Sequence, residues 1–298
     1  MKRLLPVLIF LSCATPKGGK EKASITEMEF KDKVVAIYVD EIPLKDPNAN
    51  EWNLAPKTII NLLPQNIIVP KKTVGEPKPL EVRAIYTDKE VAFLLTWEDK
   101  TEDIFDFSNR FTDKVAIQIP LNPNDLPSYM MGNIGGRVYI VEWKALWQWD
   151  VEKGYADIND IYPNYWVDFY WFVNDGKDTI RTEPPKISEF KDRRAFSFIP
   201  AYSAGNPDMV INKKWPVMEF SAEGFGTLTP HKHQDARGWG VYDNGKWKVI
   251  ISIPRVPSDE NNAQIYKGTS VAFAVWNGSE GDRGSRKSYS MWIPLELK

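Results

Sequence analysis

The chain has 298 residues, 38 basic against 40 acidic, and a formal net charge of −2. That balance provides no basic excess of the kind that gathers nucleic-acid phosphates. One cysteine, Cys13, excludes an intrachain disulfide and the two-cysteine attachment of a c-type haem, and two histidines, His231 and His233, exclude a His-rich metal site.

In chain order, Met1-Lys2-Arg3 is a short basic start and residues 4–12 are apolar apart from Pro6 and Ser12. The run is half the ~20 residues that a spanning helix needs, and it reads as a secretory signal. Small Ser12 before Cys13 resembles a bacterial lipoprotein cleavage site, with Phe10 standing where Leu is usual. On this reading residues 1–13 are a signal, Cys13 carries the lipid, and residues 14–32 are a polar tether. An ordinary cleaved signal is the alternative. Residues 33–298 form the folded domain.

From residue 33 the pattern is that of strands. Short runs rich in Val, Ile, Tyr, Phe and Trp cover residues 34–39, 81–86, 90–97, 114–119, 137–143, 166–173, 246–253, 270–276 and 288–297. Turn residues punctuate them, and Asn244-Gly245 between two runs predicts a tight hairpin. Helical periodicity is modest and confined to residues 144–155. These elements predict an all-β, antiparallel sandwich with long inserted loops and little helix. Residues 150–235 are less regular and read as an elaborate loop region over one sheet.

Hydrolytic chemistry has little support: the histidines sit together in His231-Lys232-His233, and no Gly-x-Ser-x-Gly occurs. That pair with Asp235 offers a metal site or a solvated loop. The acidic run Glu98-Asp99-Lys100-Thr101-Glu102-Asp103 offers calcium ligands or a solvated turn, the turn being the more ordinary reading. Gly132-Asn133-Ile134-Gly135-Gly136 precedes a strand, so it lacks the helix N-terminus of a phosphate loop. Met130 and Met131 lie in a Pro/Asn/Gly-rich connection, where core filling is unexpected, and a thioether can ligate haem iron.

Several ordered segments resemble the haem-binding γ subunits of the ethylbenzene dehydrogenase and dimethylsulfide dehydrogenase type. They are Glu51-Trp52 with Pro64-Gln65, Leu95-Thr96-Trp97-Glu98-Asp99-Lys100-Thr101, Lys114-Val115-Ala116-Ile117-Gln118-Ile119-Pro120 with Met130-Met131-Gly132, and the run from Val271 to Gly278 with Arg283 and Lys287 beyond. The resemblance implies a β-sandwich holding one non-covalent haem b between a methionine and a lysine, and an electron-transfer role without substrate chemistry. Carried over, Met131 is the methionine, with Met130 as alternate, and Lys287 is the lysine. Arg237, Arg283 or Arg286 would meet the propionates, while His231, Lys232 and His233 stay open as competing iron ligands. The implied partners are a molybdopterin-containing catalytic subunit and an iron–sulfur subunit in the periplasm, with the lipid anchor tying the chain to a membrane. The chain departs from the family in its length, with the excess within residues 146–220, and in that anchor. The second function class is a lipid-anchored carbohydrate-binding sandwich, which requires flat exposed tryptophans and no porphyrin-sized cavity.

Overall fold

The computed structural model describes residues 29–30, 33–73, 75, 78–164, 199–256, 258–259 and 261–298. Cys13, the tether up to residue 28 and the predicted strand at 166–173 lie outside the described residues.

The strands are β1 (Glu29–Phe30), β2 (Val34–Tyr38), β3 (Lys57–Ile60), β4 (Leu63–Pro64), β5 (Leu80–Tyr86), β6 (Glu90–Glu98), β7 (Lys114–Pro120), β8 (Val138–Lys144), β9 (Val217–Ala222), β10 (Thr229–Pro230), β11 (Arg237–Asp243), β12 (Lys246–Pro254), β13 (Gly268–Trp276), β14 (Ser288–Tyr289) and β15 (Ile293–Leu297). The longest helix is α1 (Ala145–Lys153), inside the predicted 144–155. One sheet runs β15-β2-β5-β6-β12-β11, and β3 also pairs with β5. The other runs β10-β9-β8-β7-β13-β14-β4. β13 belongs to both: Gly268 to Val271 pair with β15, and Ala272 to Trp276 pair with β7.

Pairing is mostly antiparallel. β2 lies parallel to both β15 and β5, so the sheet is mixed where the sequence predicted a purely antiparallel one. The predicted strand at 288–297 is two strands. Ser290 between them bonds to Phe273 in both directions, its backbone N–H donating to the Phe273 carbonyl and its hydroxyl accepting from the Phe273 N–H, where the chain passes from one sheet to the other. Asn244-Gly245 closes the β11–β12 hairpin with φ of 50° and 75°, as a type I′ turn requires.

Alternation along each strand sends one set of side chains between the sheets. Val115, Ile117 and Ile119 from β7, Leu95 from β6 and Val249 from β12 meet there. Trp97, Trp143 and Trp247 close one end, with Trp143 and Trp247 edge-to-face at 4.9 Å. The outer face of the second sheet is also buried. Ala116, Ile140, Phe220, Ala274 and Trp276 form a second cluster there, and Met131 and Tyr289 pack against it.

Candidate cofactor site

This outer face is the floor of a cavity of about 440 Å³, within the range of small-ligand sites. Register explains its shape. Ala274 of β13 lies opposite Ala116 of β7, and Ala116 lies opposite Glu142 of β8. One row away, Trp276 lies opposite Lys114 and, on the other side, Ala272 opposite Gln118. Three alanines thus leave a flat apolar strip, flanked by longer side chains, on which a planar group can lie.

Four connections wall it, contributing Gln65 and Val69, Tyr129 to Met131, Phe225 and Leu228, and Ser285 and Lys287. Both axial candidates, Met131 and Lys287, line this one cavity from separate loops, as does Met130. Met131 has φ +67° in a non-glycine residue, an uncommon conformation that surrounding bonds hold in place. Gly224 N–H donates to the Met131 carbonyl at 2.8 Å, Gln118 Nε2 to the Tyr129 carbonyl at 3.0 Å and Trp292 Nε1 to the Pro127 carbonyl at 2.6 Å. Gly132 follows at φ +77°, and a Cβ there would stand 2.5 Å from the Gly136 carbonyl oxygen.

The lysine loop is fastened by Gln65, a fully buried residue. Its backbone N–H donates to the Lys287 carbonyl at 2.9 Å, and its Nε2 donates to the carbonyls of Ser285 (2.9 Å) and Ile68 (2.6 Å). Its Oε1 accepts from Ile67 and Ile68 N–H, both at 2.7 Å. Next door, buried Lys72 pairs with Asp282 and Glu280 at 2.6 Å each. The Lys287 Nζ lies 4.9 Å from the Trp276 ring centre and makes no salt bridge or hydrogen bond among the described residues. Its exposed surface opens onto the cavity. Burial pulls its pKa down to about 8, Glu142 pulls it partly back, and Lys114 pushes it further down.

Burial is the main cause, and the neighbouring charges modulate it. Glu142 lies 3.9 Å from Lys114 and 3.6 Å from Lys144, and Lys144 lies 2.7 Å from Asp208. Glu142 is thus shared between Lys114 and Lys144, and Lys287 makes no salt bridge of its own among the described residues. Lys114 and Glu142 were not singled out from the sequence; the signal was present in a β7 outer face reading Lys-Ala-Gln beside Ile and Ala neighbours.

The other predicted residues lie elsewhere. Arg237 grips Glu90 at two points on the first sheet and does not reach the cavity. Arg283 is exposed, its guanidinium 4.5 Å from the Phe111 ring centre, and Arg286 donates to the Glu280 carbonyl at 2.7 Å. None of the three lines the cavity, because β11 and the tip of the turn point away from its floor. The cations that do line it are Lys114 and Lys287. His231 and Lys232 line a separate depression, where His231 stacks on Tyr139 at 5.6 Å; His233 is exposed. The His231-Lys232-His233 segment therefore does not compete at the methionine and lysine cavity. Asp235 accepts from the Ser258 hydroxyl, and no His-Asp metal cluster forms among the described residues.

The donor set suits the haem that the sequence resemblance implies. The donors are a thioether and an unpaired, readily deprotonated amine on two pinned loops, the floor is flat, and Trp276, Tyr129 and Tyr289 supply rings. Tyr129 and Tyr289 stack at 5.9 Å. A sugar platform needs exposed tryptophans instead, and among the described residues no tryptophan is exposed.

Residues 49–288 match the family model described as ethylbenzene dehydrogenase. The chain belongs to that family. It is 23% identical over 263 residues to a Haloferax mediterranei protein described as a respiratory nitrate reductase heme subunit, covering 87% of this chain and 70% of that one. It is 22% identical over 258 residues to the chlorate reductase subunit gamma of Ideonella dechloratans, covering 84% and 79%. Among solved structures, a family 9 carbohydrate-binding module from Caldicellulosiruptor kristjanssonii in complex with glucose aligns over 89% of this chain and 95% of its own, at 11% identity and a TM-score of 0.39. A likeness at that score carries no argument.

Proposed function

We propose that this member of the ethylbenzene dehydrogenase family is the haem-binding, electron-transfer subunit of an oxidoreductase complex, and that the haem is b-type, held between Met131 and Lys287. The observation that carries the reading is the convergence of Met131 and Lys287 on one alanine-floored cavity. Haem iron, when bound, supplies a one-electron couple. The chain performs the rest. Lys287 would deliver a neutral amine because burial disfavours its ammonium form, and the Met131 thioether is held in place by the fixed backbone of its loop. Two uncharged ligands favour ferrous over ferric iron and set a high reduction potential. The aromatic walls exclude water and keep the ligand pair from exchanging.

The chain carries no substrate chemistry on this reading. Its partners are a molybdopterin-containing catalytic subunit and an iron–sulfur subunit, it works in the periplasm, and Cys13 carries the anchoring lipid. The names of the two relatives, a heme subunit and a gamma subunit of reductases, support the complex. Chain expressed with haem supply should give a sharp reduced-minus-oxidised α band and a pyridine haemochrome of b type. Met131→Ala and Lys287→Ala should each convert the low-spin spectrum to high spin. A featureless spectrum from folded chain would end the proposal, and an unchanged spectrum in either variant would reassign that ligand.

A further inference from the structure

The acidic run from the end of β6 is solvated at Glu98, Lys100, Thr101 and Glu102 but turns two carboxylates inward. Asp99 at the end of β6, Asp103 in the following loop and Asp113 directly before β7 are all buried, at 2%, 0% and 0% exposure. One carboxylate oxygen from each lies within 4.8 Å of the others. Among the described residues a single cation pairs with them: the half-exposed Arg110 places its Nε 2.6 Å from Asp103 Oδ1. Three buried carboxylates face one guanidinium where water does not screen them, and burial with their mutual repulsion raises Asp99 to about 6 and Asp113 to about 8.

The hydrogen bonds show where those carboxylates are least well met. Asp113 accepts from the N–H groups of Asp103 and Gly278 at 2.8 Å each and from Trp247 Nε1 at 2.9 Å. Asp99 Oδ1 accepts from Asn277 Nδ2 at 3.1 Å and Thr101 N–H at 3.3 Å. Asp99 Oδ2 and the indole Nε1 of nearby Trp97 are both buried without a well-formed hydrogen bond, and Asp103 Oδ1 has the Arg110 contact. Asp99 Oδ2 is thus the carboxylate oxygen of this buried cluster whose acceptor capacity is least well met. The donor set is all oxygen and hard, without thiolate or imidazole, which suits calcium or magnesium and not zinc or copper.

We propose that Asp99, Asp103 and Asp113 form a binding site for a hard divalent cation of the calcium type, anchored on Asp99 Oδ2. Asn277 and Gly278 donate into the same cluster, so a bound cation joins the β6–β7 loop to the turn from which the Lys287 loop departs.

The indoles of Trp97 and Trp247 flank the carboxylates and give the experiment its readout. Terbium added to EDTA-treated full-length chain, without haem, should emit when tryptophan is excited, saturate at one equivalent and be displaced by calcium. Asp99→Asn should weaken terbium and calcium binding by about tenfold or more. Arg110→Gln removes the competing guanidinium and should tighten binding several-fold. Absence of saturable emission, or emission that survives Asp99→Asn, overturns the site. So does a cluster held by a proton alone, which Asp99→Asn would stabilise equally with and without calcium. Should circular dichroism find Asp99→Asn unfolded, Arg110→Gln decides: unchanged or weaker affinity overturns the proposal. The readout uses no haem, so its failure and the failure of the haem reading are separate events.

Discussion

At the scale of single residues, the lysine facing the cavity has a cost in the haem-free chain that pH exposes. Its pKa of about 8 lies below the ordinary lysine value near 10.4. Below pH 8 both folded and unfolded chains hold the proton, so the full penalty of a buried ammonium applies. From there to about pH 10.4 the unfolded chain binds more protons, and stability rises with pH. Lys287→Met should therefore stabilise haem-free chain at pH 7, by on the order of 2 kcal/mol, with the gain fading by pH 10. Thermal melts at both values check this; an equal gain at both would mean the charge is not its source. Met131 stood out already by its loop setting, whereas Lys287 drew notice only through the ordered family motifs, since an isolated lysine is ordinary; the structure places both on one cavity. Gln65 was quoted among those motifs without a role, because its value comes from partners as far away as Ser285 and Lys287.

Among the elements, that glutamine holds two cavity walls in one arrangement. Gln65→Leu keeps the volume, leaves several buried polar groups of both loops unpaired and should cost about 2–4 kcal/mol. Its reconstituted haem should also show a broadened or mixed-spin spectrum, which a purely global loss of stability would not produce; an intact low-spin spectrum would show that Lys287 is placed without it. The floor makes an opposite prediction. Ala274→Phe adds a ring over the alanine strip, into open cavity, so stability should change by less than about 1 kcal/mol while haem uptake falls at least tenfold. Titration of haem into the variant checks it. The strip was partly readable: alternation in β7 and β13 announced one buried face, but strict alternation usually means that the other face is wet. Here loops cover it. β9 was missed for a related reason. Glu219 stands in its middle like a solvent-facing residue, yet it is fully buried, taking hydrogen bonds from Tyr139, Ala236 and Asn262. The parallel placement of β2 was invisible because register between distant strands leaves no local mark.

Taken whole, the molecule is two sheets that share β13. Phe273 on that strand sits edge-to-face with Phe93 of the first sheet at 6.4 Å. Phe273→Ala should cost about 3–5 kcal/mol and lower both sheets together, with far-ultraviolet and tryptophan signals melting in one transition. Separate transitions would show that the sheets fold independently despite the common strand. The all-β class and most strand positions were legible from composition and turn chemistry. How the strands join across the sandwich was not, because those contacts are long in sequence.

That same length has a kinetic meaning for the bond between Gln65 and Lys287, whose partners are 222 positions apart. A pair so distant meets late, after nearly every strand between them has found its neighbours. No partly folded chain owns the second wall of the cavity, so the prosthetic group has nowhere to settle until the protein is almost finished. On the haem reading proposed above, the polypeptide would close before iron enters, and the haem-free chain should be isolable as a folded species that takes up haem when it is supplied.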